Sequence, residues 1–257
     1  MNLPPQPSIE LFGILIQEPV TTFTDLIVSA VCFYAFYKLI AMQKQGKLFF
    51  YLKMYFLLMG IATTFGGIIG HAFLYKFPAT YELPEIVNNF IDSIGFLVSE
   101  EEAYAWKLPG WIISMLSIMF VERAAIEHVR PIVRPIVGKG FRVVNLVELF
   151  TFMLITFITL NFRYVEIHSG YGLMFVVLSL QLYAYVKTRD KGSKLFLFGV
   201  AWAAVAALFY MYEVGISKWF NHSDISHTLM AVAAYFFFLG AKEMVDFEQS
   251  PPQVSKA

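Results

Sequence analysis

The sequence predicts an all-α, polytopic membrane protein: a bundle of seven transmembrane helices with its N-terminus outside and its C-terminus in the cytoplasm. Three observations carry that reading. Hydrophobic residues make up 58% of the chain and aromatic residues 18%, while only 15% are charged, far from the usage of water-soluble domains. Seven apolar runs each reach the roughly 20 residues that a helix needs to cross hydrocarbon. The basic residues collect on alternate connections, as the positive-inside bias requires.

The runs fall at about 20–40, 50–75, 109–128, 141–161, 169–187, 194–215 and 225–245. They are continuous rather than alternating, which favours helices over a barrel, because a helix satisfies its backbone hydrogen bonds within one segment. Of the nineteen Lys and Arg, only Lys76, Lys107, Arg163 and Lys218 belong to the connections assigned to the outside. The N-terminal stretch has no basic region and only a short apolar run, Leu11 to Ile16, so it does not read as a cleavable signal. The outer loop 78–108 is acidic, and within it PEIVNNFIDSIGFLV has apolar residues at helical spacing, predicting an amphipathic helix near the surface. Residues 1–246 thus form one seven-helix domain, and the polar, proline-containing 247–257 reads as a disordered cytoplasmic tail. Zero net charge gives no support to nucleic-acid binding, and the single Cys32 cannot form an internal disulfide.

With orientation assigned, polar residues acquire a depth. Span two runs outward and brings His71 to its outer end, on a face shared with Gly60, Thr64 and Gly67. Span seven runs inward, so Asp224 and His227 occupy its first turn. Span one starts with Glu18-Pro19 and carries Asp25 two turns deeper, roughly 10 Å along the axis. Ionisable groups in lipid cost about 2.5–3.5 kcal/mol at a helix centre and usually face a cavity or a partner. Imidazoles and a carboxylate are a good zinc set, so the proposal is a metal held by His71, Asp224 and His227, with Asp25 and Thr64 as catalytic helpers.

Each residue also has a plainer reading. Asp224 is placed to cap span seven, and Glu18-Pro19 resembles an ordinary helix start. His71 and His227 lie near enough to the interface to be hydrated. Asp25 has Thr21 and Thr24 nearby as partners in a buried polar cluster. Glu18, Glu82, Tyr210, Glu213 and His222 are further candidates for lining the same pocket. Glu122, Arg123 and Glu127 are expected to snorkel or pair at the inner end of span three, Glu148 lies too far inward to join the outer cluster, and His168 and His222 read as loop residues.

This order of features resembles the seven-span zinc hydrolases of the alkaline ceramidase and progestin/adipoQ receptor superfamily: an acidic first-span entrance (Glu18-Pro19 through Asp25), a span-two histidine (GIATTFGGIIGHAF, His71) and a histidine-bearing start of span seven (SDISHTLMAVAAYFFFLGA, His227). The resemblance covers topology and three short stretches. It implies a zinc cofactor and hydrolysis of a lipid amide. The chain departs from the pattern where Ser223 stands in place of a second span-seven histidine, where Gly67 stands in place of a serine four residues before His71, and where Glu82 replaces an aspartate.

Two function classes follow: a zinc-dependent hydrolase of a lipid amide or ester, and a non-enzymatic sensor, transporter or assembly factor using the same cluster for ligand or proton binding. The partners expected are the bilayer and a lipid substrate, with no nucleic acid. A retinal protein is disfavoured because 225–241 contains no lysine.

Overall fold

A computed structural model describes residues 6–77 and 102–244. The predicted amphipathic helix, Glu82 and the C-terminal tail lie outside the described residues. Among those described, seven long helices run α1 (Pro19–Ala41), α2 (Lys47–Ala72), α3 (Leu108–Val129), α4 (Pro135–Thr159), α5 (Arg163–Thr188), α6 (Lys191–Met211) and α7 (His222–Glu243). All but α3 are long and apolar enough to cross a membrane, so the all-α, membrane-protein reading holds. Helix α3 carries Glu122, Arg123 and Glu127 in its second half and is deeply packed, with Val121, Ala124, Ala125 and Ile126 almost fully enclosed.

The helix starts differ from the sequence expectation at two places that matter for the site. Helix α5 begins at Arg163, six residues before the predicted span, so His168 is a fully buried helical residue rather than a loop residue. Helix α7 begins at His222, which is therefore also helical. Asn221 caps it in a capping box, accepting from the backbone of Ser223 and Asp224 while the Asp224 side chain accepts from the backbone of Asn221.

A short hairpin not foreseen from the apolar runs precedes α1. Strands β1 (Ile9–Leu11) and β2 (Ile14–Ile16) pair antiparallel, with Ile9 opposite Ile16. Phe12 and Gly13 turn it with φ of 52° and 76°, as a two-residue loop with both central residues at positive φ demands. Gln17 N–H donates to the Ala72 carbonyl (3.1 Å), fixing the hairpin to the end of α2. Upstream, Gln6 Oε1 accepts from the backbone of Val20 and Thr21, while its Nε2 donates to the Trp219 carbonyl and to Asp224. One buried glutamine thus satisfies free N–H groups in the first turn of α1 and ties that turn to α7.

The buried stripe of α1 is Thr21, Thr24, Asp25, Val28, Ser29, Cys32, Ala35 and Leu39, the i, i+3, i+4 spacing of one helix face. Its polar half lies at the N-terminal end. Its apolar half joins Leu52, Phe56, Val121, Phe196, Phe237 and Ala241 in the main core. Helices α6 and α7 pack closely: a Cβ added to Gly199 or Gly240 would come within 2.5 Å of Phe237 or Phe196, the close backbone packing that small residues permit between apolar helices. Helix α4 is peripheral and turns Val143, Val147, Phe150 and Leu154 outward.

Candidate functional site

The N-terminal end of α1 meets the last turns of α2 and the first turn of α7. Helix α2 ends in a π-helical stretch, Gly66–Ala72, a widened turn that commonly marks functional positions. The glycines there serve close approach. A Cβ on Gly66 would stand 3.2 Å from Asp25 Oδ2, and one on Gly67 would stand 3.1 Å from Asp25 Cβ and from the Thr22 carbonyl. Without side chains at 66 and 67, α1 presses its carboxylate against α2 beside His71.

The carboxylate of Asp25 faces both imidazoles. His71 Nε2 lies 3.7 Å from Asp25 Oδ2 and His227 Nε2 lies 3.6 Å from Asp25 Oδ1, with the two rings 6.1 Å apart. The opposite nitrogens are held by protein oxygens. His71 Nδ1–H donates to Glu18 Oε2 at 2.6 Å. Thr24 Oγ1 donates to the Thr21 carbonyl (3.0 Å), which leaves its oxygen to accept from His227 Nδ1 at 3.3 Å. In these tautomers each neutral ring turns its Nε2 lone pair toward the Asp25 carboxylate. Lone pairs do not hold an anion, so the centre of this cluster favours a positive species.

Glu18 sits outside α1 as its N-cap, with φ 42°, and its side chain is 46% exposed. Partial burial pushes its carboxyl up, but the His71 hydrogen bond and the charges of His71, Lys107 and His227 outweigh that and hold it below its ordinary 4.5. It is the exposed end of a chain that continues through His71 and Asp25 to His227.

The other sequence candidates are distributed around this centre. Asp224 is fully buried, but its Oδ2 accepts from Asn221 N–H (2.7 Å) and Gln6 Nε2 (3.1 Å), so the carboxylate between the histidines is Asp25. Thr64 Oγ1 donates to the Gly60 carbonyl and shares a 2.6 Å hydrogen bond with Ser29, one turn below Asp25. Tyr210 packs edge-on against His222, ring centres 5.4 Å apart, and Glu213 is exposed beyond α6. An open apolar cleft of about 250 Å³ is lined by Phe209, Val214, Ile216, Phe220, Ile225, Thr228 and Leu229. None of Asp25, His71 and His227 lines this cleft.

A second cluster was not anticipated. Glu122 on α3, Glu148 on α4 and His168 on α5 each offer a donor atom within 4.8 Å of the other two, and this trio, with Glu122 and His168 buried and Glu148 half-buried, could hold a metal ion. Among the described residues it is the one set of three His, Cys, Asp or Glu that compact; the His71, Asp25 and His227 donors are more widely spread. Two short connections produce it. The turn at Arg130–Ile132 folds α4 back along α3 and brings Asn145 level with Glu122; the bend at Leu160, φ 48°, folds α5 back along α4 and brings His168 to Glu148. Counting residues outward from those two turns was the signal available in the sequence.

Residues 20–98 and 87–246 match one family model, whose description is a family of unknown function, DUF6962. The chain belongs to the DUF6962 family. No curated protein and no solved structure matched it. The DUF6962 match takes in the seven long helices from residue 20 onward, and with them Asp25, His71 and His227 as well as Glu122, Glu148 and His168; Glu18 lies just before it.

Proposed function

We propose that this DUF6962 member is a multi-pass membrane protein of seven spans, N-terminus outside, whose α1–α2–α7 cluster is a cation-dependent hydrolase site for a lipid amide or ester. The observation that carries the reading is the arrangement around Asp25: two imidazoles present Nε2 to one carboxylate, and each has its other nitrogen held by a protein oxygen. That pattern supports a metal, because ligand histidines characteristically hand their second nitrogen to a carboxylate or another oxygen. The donor set suits zinc in kind. The separations of 3.6 and 3.7 Å exceed hydrogen bonding and approach the edge of about 3.3 Å expected between ligands of a tetrahedral zinc.

His71, His227 and Asp25 would hold the ion, and zinc in such a site supplies Lewis-acid polarisation of the scissile carbonyl. Glu18 keeps the His71 tautomer and ring orientation, and Thr24 does the same for His227. The half-exposed Glu18 gives protons a route between His71 and the surface. Asp224, through the α7 cap and Gln6, sets the position of His227 relative to α1.

The alternative, a sensor or transporter that binds protons at this cluster, draws support from the same route. The test uses the full chain purified in detergent with a panel of fluorogenic N-acyl amides and esters. Hydrolysis that is removed by a chelator, restored by zinc and abolished in His227→Gln and Asp25→Asn is the expected result. A chain that binds no zinc and hydrolyses nothing, but shows pH-dependent ligand binding lost in Asp25→Asn, would overturn the hydrolase in favour of the sensor.

A further inference from the structure

We infer that the α3–α4–α5 cluster is a second metal centre, a structural site for a divalent transition-metal ion of the Mn2+ or Zn2+ class held by Glu122, Glu148 and His168. His168 Nε2 lies 3.0 Å from the Met115 carbonyl. A carbonyl only accepts, so the Nε2 proton is committed there and Nδ1 carries the lone pair of the neutral ring. Nδ1 is nevertheless 2.6 Å from Glu148 Oε1, a hydrogen-bond distance, so in the metal-free chain a proton lies between them, and a metal ion would displace that proton to take the Nδ1 lone pair.

Two carboxylate oxygens supply the remaining capacity. Glu122 is fully buried; its Oε2 accepts from Asn145 Nδ2 at 3.0 Å, while its Oε1 is buried with no hydrogen-bond partner. Glu148 Oε2 is likewise buried and unpartnered. An unpaired buried carboxylate oxygen forfeits strong hydration, and two of them beside an imidazole nitrogen recover it by binding one cation. Glu122 Oε1 is aimed at the α5 face that bears His168: a Cβ on Gly172, one turn beyond His168, would meet it at 2.5 Å.

The surroundings hold the donors in place. Arg123 Nε donates to Asn145 Oδ1 at 2.5 Å, which fixes the amide so that its NH2 faces Glu122. The imidazole selects against Mg2+ and Ca2+, which take all-oxygen shells, and the carboxylates select against a thiophilic ion. With every donor enclosed by helix packing, a bound ion would join the peripheral α4 to α3 and α5 rather than receive a substrate.

The test titrates Mn2+ into the chelator-washed full chain in detergent, read by electron paramagnetic resonance and by heat denaturation. Wild type is expected to bind Mn2+ tightly at this cluster, seen as an ion coupled to a single imidazole nitrogen in its pulsed spectrum and so distinct from an ion between the two imidazoles of the α1–α2–α7 cluster, and to melt higher when loaded. Glu148→Gln and Glu122→Gln are expected to weaken binding about 100-fold and remove the melting shift, whereas Asp25→Asn and His227→Gln retain both. Absence of tight binding or of the nitrogen coupling in wild type, or retention of binding in Glu148→Gln, would overturn the assignment; the wild-type spectrum decides it even if a variant does not fold. Loss of hydrolysis in the α1 and α7 variants bears only on the other cluster.

Discussion

The two polar clusters share a plan and differ in closure. Each involves a π-helical turn, Gly66–Ala72, which contains His71, and Gly172–Val177, shortly after His168. Each π segment opens with a glycine whose missing side chain admits a carboxylate from the neighbouring helix, Asp25 at Gly66 and Glu122 at Gly172. In the α1–α2–α7 cluster the donors are loosely spread and Glu18 is half exposed. In the α3–α4–α5 cluster the donors are compact and sealed, His168 and Glu122 being fully enclosed. A cluster that reaches the surface through Glu18 suits exchange of protons; a closed one suits holding helices together.

That contrast predicts unequal consequences of mutation. The largest effect is expected from His168→Leu, which leaves the Glu148 carboxylate buried and unpaired and should cost about 3–5 kcal/mol of stability. Heat or SDS denaturation in detergent measures it, and an effect under 1 kcal/mol would mean that the second cluster is not a structural tie. Gly172→Ala comes next. Its Cβ would meet Glu122 Oε1 at 2.5 Å and Ile118 Cγ2 at 2.6 Å, for about 1–3 kcal/mol of overpacking, with hydrolysis by the other cluster unchanged.

Gly66→Ala should separate function from stability on the opposite side. Its contact with Asp25 Oδ2 is milder, 3.2 Å, so the melting temperature should hardly move while the displaced carboxylate weakens zinc affinity about tenfold. Equal losses of stability at Gly66 and Gly172 would erase the distinction between the clusters. The smallest effect belongs to Glu18→Gln. A carboxyl held below its ordinary 4.5 in the folded state contributes stability that is present above that value and is lost as pH falls through the folded value. The substitution should flatten the acid limb of the stability profile by less than about 1 kcal/mol, because the group is half exposed, and leave neutral pH nearly unchanged.

The helices were legible because apolar runs of membrane length have few alternatives, and Asp25, His71 and His227 were legible as ionisable groups at a shared depth on three such runs. The role of Asp25 between the two rings was not, since spacing along a helix does not say which carboxylate a glycine pair lets through. Gln6 was invisible for a related reason: its partners, Val20, Thr21, Trp219 and Asp224, meet only when the N-terminal segment folds back over the bundle. The second cluster was missed through a boundary. Apolarity fades near Arg163 and Glu166 although the helix continues, so His168 was left outside its span, and Glu122 and Glu148 then had no third donor.

The central claim, a cation between His71 and His227 at Asp25, is tested most directly by zinc X-ray absorption on the Glu148→Gln chain, in which the second cluster is disabled. About one zinc per chain with two imidazole ligands, lost in the further Asp25→Asn variant, is the predicted result. A chain without zinc, or a zinc with a single imidazole that survives Asp25→Asn, would contradict it.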